Sequence, residues 1–192
     1  MTKQPAKASK EDPRNRLGPE EWVMVAYQAF TDGGVEAVKV DALARALDVT
    51  RGSFYWHFKD RDALLAKVVD RWLLVETLRI IDMADEAGGT AADRLWLVIE
   101  SVRSDDGRFE LAVRNWARRN AYAAAIVRKA DEKRIGYLEG LLLEHGVTPA
   151  VAARRARNLY LAWLGHYVAL TDAGLAEMVD DLRELYRLIL TR

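Results

Sequence analysis

Apolar residues along this chain recur every three to four positions and nowhere alternate as a half-buried strand requires. Residues 1–16 carry no such periodicity and read as a disordered arm. Gly18-Pro19-Glu20-Glu21 then opens a helix, with proline at the first helical position and two carboxylates at the positive end of the helix dipole. Its apolar face is Trp22, Val25, Ala26, Ala29 and Phe30, and Gly33-Gly34 stops it. The pattern predicts a second short helix from Asp41 to Leu47 and a third from Arg51 to Phe58, with Thr50 at the N-cap. After the break at Lys59-Asp60, Asp60 caps a long helix in which Leu64, Val68, Trp72, Val75 and Leu78 recur to about Ala84.

Beyond Gly88-Gly89 the pattern stays helical, with Leu95, Val98, Ile99 and Val102 on one face, then Phe109, Ala112, Val113 and Trp116. A helix from about Ala121 to Glu144 ends at His145-Gly146, and the next opens at Thr148-Pro149. The last carries Leu175, Met178, Val179, Leu182, Leu185, Tyr186 and Ile189 as an amphipathic stripe. The expectation is an all-α chain of about nine helices, divided into a three-helix unit over 17–65 and a larger helical unit over 66–192.

Composition narrows the chemistry. No cysteine is present, which removes disulfides, zinc-thiolate sites and thiol nucleophiles. His57, His145 and His166 have no spacing that pairs them as helical metal ligands, so neither a metal nor a cofactor is expected, nor an enzyme. The longest apolar run, Leu159 to Leu170, is interrupted by Gly165-His166 and is shorter than the roughly 18 residues a membrane span needs. With no apolar signal core at the start, a cytoplasmic protein is expected. Basic and acidic residues balance at 29 each, but Lys39, Arg45, Arg51, Lys59 and Arg61 outnumber the acids between 39 and 61, while Asp172, Glu177, Asp180, Asp181 and Glu184 cluster late.

That basic segment coincides with two short helices joined by Asp48-Val49-Thr50, a helix-turn-helix whose second helix can enter a major groove. At ~100° per residue Phe54 and Phe58 share one face and must pack on Leu43 and Leu47, while Gly52, Ser53, Trp56 and His57 point away. Tryptophan and histidine are poor choices for a merely solvated face. Gly52 allows close backbone approach, and the helix N-terminus offers N–H groups to a phosphate.

From about Leu17 to Leu65 the sequence resembles the TetR family of bacterial transcriptional regulators, through Val40-Asp41-Ala42-Leu43-Ala44-Arg45-Ala46-Leu47-Asp48-Val49-Thr50 and Phe54-Tyr55-Trp56-His57-Phe58-Lys59-Asp60-Arg61-Asp62-Ala63-Leu64-Leu65. The resemblance implies that Arg51, Gly52, Ser53, Trp56 and His57 face bases, that Tyr55 and Lys59 face phosphates, and that Thr50 caps and touches phosphate. Two positions depart from the family pattern. Lys39 replaces the usual Thr or Ser cap of the second helix and offers a cationic contact instead, and Asp48 replaces a turn glycine, a position where Asp tolerates the left-handed conformation. Arg51 has two readings, guanine recognition or a phosphate clamp.

For the larger unit the resemblance implies an effector pocket and a dimer interface. Trp96, Phe109, Trp116, Tyr160, Trp163 and Tyr167 are the candidate ligand walls, with ordinary core packing the alternative, and Arg103, Arg114, Asn115 and His166 are polar candidates. Leu164, Val168, Met178, Leu182, Leu185, Tyr186 and Ile189 are the candidate dimer face, the alternative being a last helix packed on its own core. The expected partners are double-stranded DNA with a palindromic operator, a small-molecule effector and a second copy of the chain, with no membrane. The expected function is a repressor released by its effector, and the competing reading is a DNA-binding structural or cell-cycle factor without a ligand.

Overall fold

A computed structural model describes residues 17–101, 106–169 and 175–191. The expected arm at 1–16, together with Val102 and Arg103, lies outside the described residues. The chain runs α1 (Pro19–Ala37), α2 (Val40–Ala46), α3 (Arg51–His57), α4 (Arg61–Leu73), a π turn (Leu74–Leu78), α5 (Arg79–Ala87), α6 (Ala91–Ser101), α7 (Arg108–Ala117), α8 (Ala121–Glu144), α9 (Pro149–Val168) and α10 (Leu175–Ile189). Taking α4, the π turn and α5 as one continuous rod leaves nine helices and no strand among the described residues. No helix among them is long and apolar enough to cross a membrane.

Two apolar cores organise the molecule. The first joins Trp22, Ala26 and Phe30 of α1, Leu43 and Ala44 of α2, Phe54 of α3 and Leu64, Val68 and Trp72 of α4 to Phe109, Val113 and Trp116 of α7. The second joins Leu95 and Ile99 of α6, Leu138 and Leu142 of α8, Leu159 and Tyr160 of α9 and Met178, Leu182 and Ile189 of α10. The 24-residue α8 serves both: Ala123, Val127 and Ala130 enter the first core and Leu138, Leu141 and Leu142 the second. The expected division near residue 65 falls inside α4, and the first core runs across it.

Local chemistry explains the breaks. Gly33 and Gly34 leave helical geometry, Gly34 with φ of 65°, so α1 kinks there instead of stopping outright and runs one more turn to Ala37. Asp60 caps α4 as expected, accepting from the Ala63 N–H at 2.8 Å. The long helix that follows does not run unbroken. At Leu74–Leu78 it widens into a π turn, which apolar periodicity cannot reveal, because one extra residue in a turn leaves the residue types unchanged.

Most of the expected dimer stripe packs within its own protomer. Met178, Leu182 and Ile189 are buried in the second core of their own chain, and Leu164, Leu185 and Tyr186 pack against that core, Tyr186 donating to the Ala92 carbonyl at 3.2 Å. An amphipathic final helix needs cover, and α6, α8 and α9 supply it within one protomer. Val168 alone of that set stands well exposed, and with Leu161 it forms an apolar seam on the outside of α9.

Candidate nucleic-acid interface and cavity

The helix-turn-helix is set by its turn. Asp48 is the one non-glycine residue with positive φ among the described residues, at 53°, as its replacement of a turn glycine requires. The Asp48 N–H donates to Arg45 and that of Val49 to Ala44, closing α2 and aiming the chain into α3. Arg61 fastens the unit from below: its Nε donates to the Val38 carbonyl at 2.6 Å and a terminal nitrogen donates to Val35. Sequence reasoning passed over Arg61 because an arginine in a first helical turn looks like surface charge.

Phe54 is fully buried and Phe58 nearly so, Phe54 meeting Trp22 edge-to-face at 5.3 Å and Phe58 at 5.5 Å. The opposite side of α3 is open: Trp56 is 88% exposed, an extreme for a residue that normally seeks cover, and Gly52, Tyr55 and His57 are exposed beside it. Ser53 is half-buried. Lys39, at the N-cap of α2, and Lys59, after α3, are exposed. Thr50 sits at the N-cap of α3 but its side chain makes no capping bond; its carbonyl accepts from Ser53 instead, so the cap expected from sequence is positional only. A Cβ on Gly52 would meet nothing closer than the Thr50 Oγ1 at 3.6 Å, so packing within the protein does not demand glycine there.

Arg51 leans across its own helix. It donates to the Tyr55 hydroxyl at 3.2 Å, lies 3.6 Å from the Asp41 carboxylate and sits over the Tyr55 ring, and the Tyr55 bond followed by Asp41 raises its pKa above the usual arginine value. Both partners are exposed, so this arrangement is inexpensive to open.

The aromatic candidates separate into two places. Phe109 and Trp116 pack within the first core, Phe109 stacking on Tyr27 at 4.1 Å and on Trp72 at 6.2 Å and Trp116 meeting Phe30 at 5.9 Å. Trp96 packs on Tyr186 at 5.4 Å, with Arg183 over its ring. Tyr160 and Trp163 do border a cavity, together with Thr77, Ile80, Ile81, Val98, Ile99, Ser101, Arg134, Tyr137, Leu138, Leu159 and Leu182. About 580 Å³ of space between atoms lies there, part of it open to solvent. Tyr167 accepts from the Trp163 Nε1 at 3.0 Å and covers Gly107, where a Cβ would collide with its ring.

Behind this cavity is a buried polar cluster. Glu110, 2% exposed, accepts from Arg114 at 2.6 Å and from Arg134 at 2.9 Å. Arg114 also reaches Asp131 at 2.6 Å and the Tyr160 hydroxyl at 2.7 Å, and that hydroxyl donates to Asp131 at 2.5 Å. Burial pushes the Tyr160 hydroxyl pKa well up; burial opposes the Arg134 cation, but Glu110 and Tyr160 together outweigh it and the guanidinium is held charged. Arg134 also donates to the Thr77 hydroxyl at 2.8 Å and to the Glu76 carbonyl at 3.0 Å, both in the π turn, and lies between the Trp72 and Trp163 rings at 5.1 and 4.8 Å. Arg114, taken from sequence as a polar candidate, is thus part-buried and fully engaged, Asn115 is exposed, and His166 is half-buried, 3.8 Å from Asp181. Glu110, Arg134 and Thr77 went unnoticed because amphipathic helices carry such residues routinely on solvated faces.

Comparison with known proteins agrees with this anatomy. Residues 24–68 match the model of the family described as bacterial regulatory proteins, tetR family. Over 53 residues the chain is 40% identical to the HTH-type transcriptional regulator AcrR of Shigella flexneri, a match covering 28% of this chain and 23% of that protein, so the aligned segment spans about a quarter of the relative. The fold is similar to that of a protein of Saccharomonospora viridis described as a transcriptional regulator and solved with choline, at a TM-score of 0.77 and 14% identity over 88% of this chain and 95% of that one. It is also similar to the transcriptional regulator FadR of Bacillus subtilis solved with stearoyl-CoA, at a TM-score of 0.66 and 16% identity over 90% and 97% of the two chains. Residues 24–68 thus carry the tetR-family helix-turn-helix signature, on a fold similar to that of these regulators.

Proposed function

We propose that the chain binds operator DNA as a homodimeric repressor, and that a small molecule entering the cavity weakens that binding. The observation that carries the reading is the outer face of α3, where an 88% exposed Trp56 stands with Arg51, Gly52, Ser53 and His57. Tyr55, Lys59, Lys39 and the uncommitted Thr50 hydroxyl flank it for phosphate contact. Two copies of such a helix engage successive major-groove faces only at a separation of about 34–36 Å, so the operator is expected to be palindromic and the dimer geometry decides affinity.

The coupling runs through Arg134. It borders the cavity, holds the π turn at Thr77 and Glu76, and rests on Trp72, which shares the first core with Phe54. A ligand that moves Trp163 or Arg134 biases the rod that begins beneath the DNA-binding face. By linkage the same ligand must bind more weakly to the DNA complex, typically by about 1–3 kcal/mol. The solved complexes of the two structural relatives, with choline and with stearoyl-CoA, support a ligand site in this fold without identifying the ligand here.

For the second copy, the uncovered apolar positions Leu161 and Val168 of α9 and Leu188 of α10 offer the seam. Arg154 and Arg157 are exposed on α9, and Asp181 and Glu184 on α10, so each copy can present the opposite charge to the other.

The test is selection of bound sequences from random duplexes followed by binding at several salt concentrations. A palindromic consensus and steep loss of affinity with salt are expected, since lysine and arginine contacts release counterions. Absence of any sequence preference removes the repressor reading. Specific DNA binding that no small molecule alters leaves the ligand-free DNA factor.

A further inference from the structure

We infer that the cavity selects an uncharged, compact apolar molecule and that Glu110 sets this preference by neutralising Arg134. The inference rests on the cavity being the effector site proposed above. Among the described residues most of the wall is aliphatic or aromatic, and most of the side-chain donors that border it already have partners. The Ser101 hydroxyl donates to the Val98 carbonyl at 2.7 Å, Tyr137 to Asp85 at 2.6 Å, Tyr160 to Asp131 at 2.5 Å and the Trp163 Nε1 to Tyr167 at 3.0 Å. Arg134, the one cation on the wall among the described residues, donates once from each of its three nitrogens, to Thr77, Glu110 and Glu76.

The charges behind the wall also cancel, Arg114 and Arg134 against Glu110 and Asp131. An entering anion finds no uncompensated positive charge, because Arg134 is already paired with Glu110. An entering cation meets Arg134 on the wall, while both carboxylates are already engaged. Either ion stays unpaired after losing its water, which is the costly case. A neutral ring meets only flat and aliphatic surface. Glu110 is not among the residues lining the cavity; it acts through Arg134, and removing its charge leaves Arg134 without a carboxylate partner while Arg114 keeps Asp131.

The experiment titrates the full chain, without DNA, with three one-ring probes of nearly equal size: methyl benzoate, benzoate and benzylammonium at neutral pH. Wild type is expected to bind methyl benzoate saturably and the two ions at least tenfold more weakly. Glu110→Gln is expected to tighten benzoate at least tenfold while changing methyl benzoate by less than about threefold, a reversal that a merely structural role would not give. Should Glu110→Gln fail to fold, the nearly isosteric Thr77→Val frees the Arg134 Nε and is expected to tighten benzoate at least twofold. Ile81→Trp, which fills the cavity and leaves the ion cluster intact, is expected to abolish methyl benzoate binding. No saturable binding of methyl benzoate, equal binding of either ion to wild type, or folded variants with unchanged benzoate affinity overturns the inference. Any of these results leaves the DNA-binding reading standing, whereas intact methyl benzoate binding with unaltered DNA affinity removes the release mechanism and keeps the ligand preference.

Discussion

The ring of Phe109 lies on the ring of Tyr27 at 4.1 Å with only 14° between their planes. One belongs to α7 and the other to α1, so the stacked pair helps tie the helix that supports the helix-turn-helix to the larger unit. Phe30 and Trp72 complete the cluster. The helix-turn-helix is consequently built on the larger unit rather than hung from it.

Phe109→Ala is expected to lower unfolding free energy by about 3–5 kcal/mol, the usual cost of emptying a buried aromatic site. A urea melt measures it. A loss below about 1 kcal/mol would mean that the stack does not join the two units.

Arg51→Ala and His57→Ala are expected to weaken binding to the selected operator by about 1–3 kcal/mol with melting nearly unchanged, because both side chains are exposed and the Arg51–Asp41 pair is solvated. Phe54→Ala should behave in the opposite manner, costing roughly 3–5 kcal/mol of stability. Melts that rank the three the other way contradict the facing of α3.

Gly52→Ala separates folding from binding most sharply. The site has room for a Cβ, and alanine favours helix over glycine by about 1 kcal/mol, so the variant should be as stable as wild type or more so. Its operator affinity should nonetheless fall, since the new methyl stands where DNA approaches. Undiminished affinity would show that α3 does not come close to DNA at this residue.

Asp48→Gly is expected to raise stability by about 1 kcal/mol, because the residue occupies left-handed backbone that costs any side chain. Asp48→Val should lower it, a β-branched side chain tolerating positive φ poorly. Thermal melts of the pair decide the matter; equal shifts of one sign would contradict the turn geometry.

Leu161→Glu and Val168→Glu, at exposed positions, are expected to yield folded monomers by sedimentation, whereas Leu182→Glu, buried in the protomer, should unfold the chain. A wild-type monomer at micromolar concentration would remove the dimer, and with it the two-half-site operator.

The helix-turn-helix could be read from sequence because its information is local. Phe54 and Phe58 alternate with Trp56 and His57 at helical spacing, and Asp48-Val49-Thr50 is a short turn whose constraint is backbone geometry. The all-α architecture followed from periodicity for the same reason. The cavity walls could not be read that way. Phe109 and Trp163 are both large aromatics on helices, and the packing partner, Tyr27 in one case and Arg134 in the other, makes the first a joint and the second a wall. The stripe on α10 shows the same limit: periodicity says that Leu182 needs cover and is silent on whether its own chain or a second copy supplies it.

The π turn at Leu74–Leu78 is in effect one residue added to an otherwise regular helix, and at ~100° per residue such an addition rotates everything beyond it by more than a quarter turn. The buried face of α4, with Val68 and Trp72, and the cavity face of α5, with Ile80 and Ile81, therefore answer to different phases of one rod. Deleting a single residue within 74–78 would restore unbroken α-helix while turning Ile80 and Ile81 out of register with the walls they complete. The rod is thus a gear with a fixed offset, and its phase, rather than its length or its composition, is what keeps both ends of the molecule engaged.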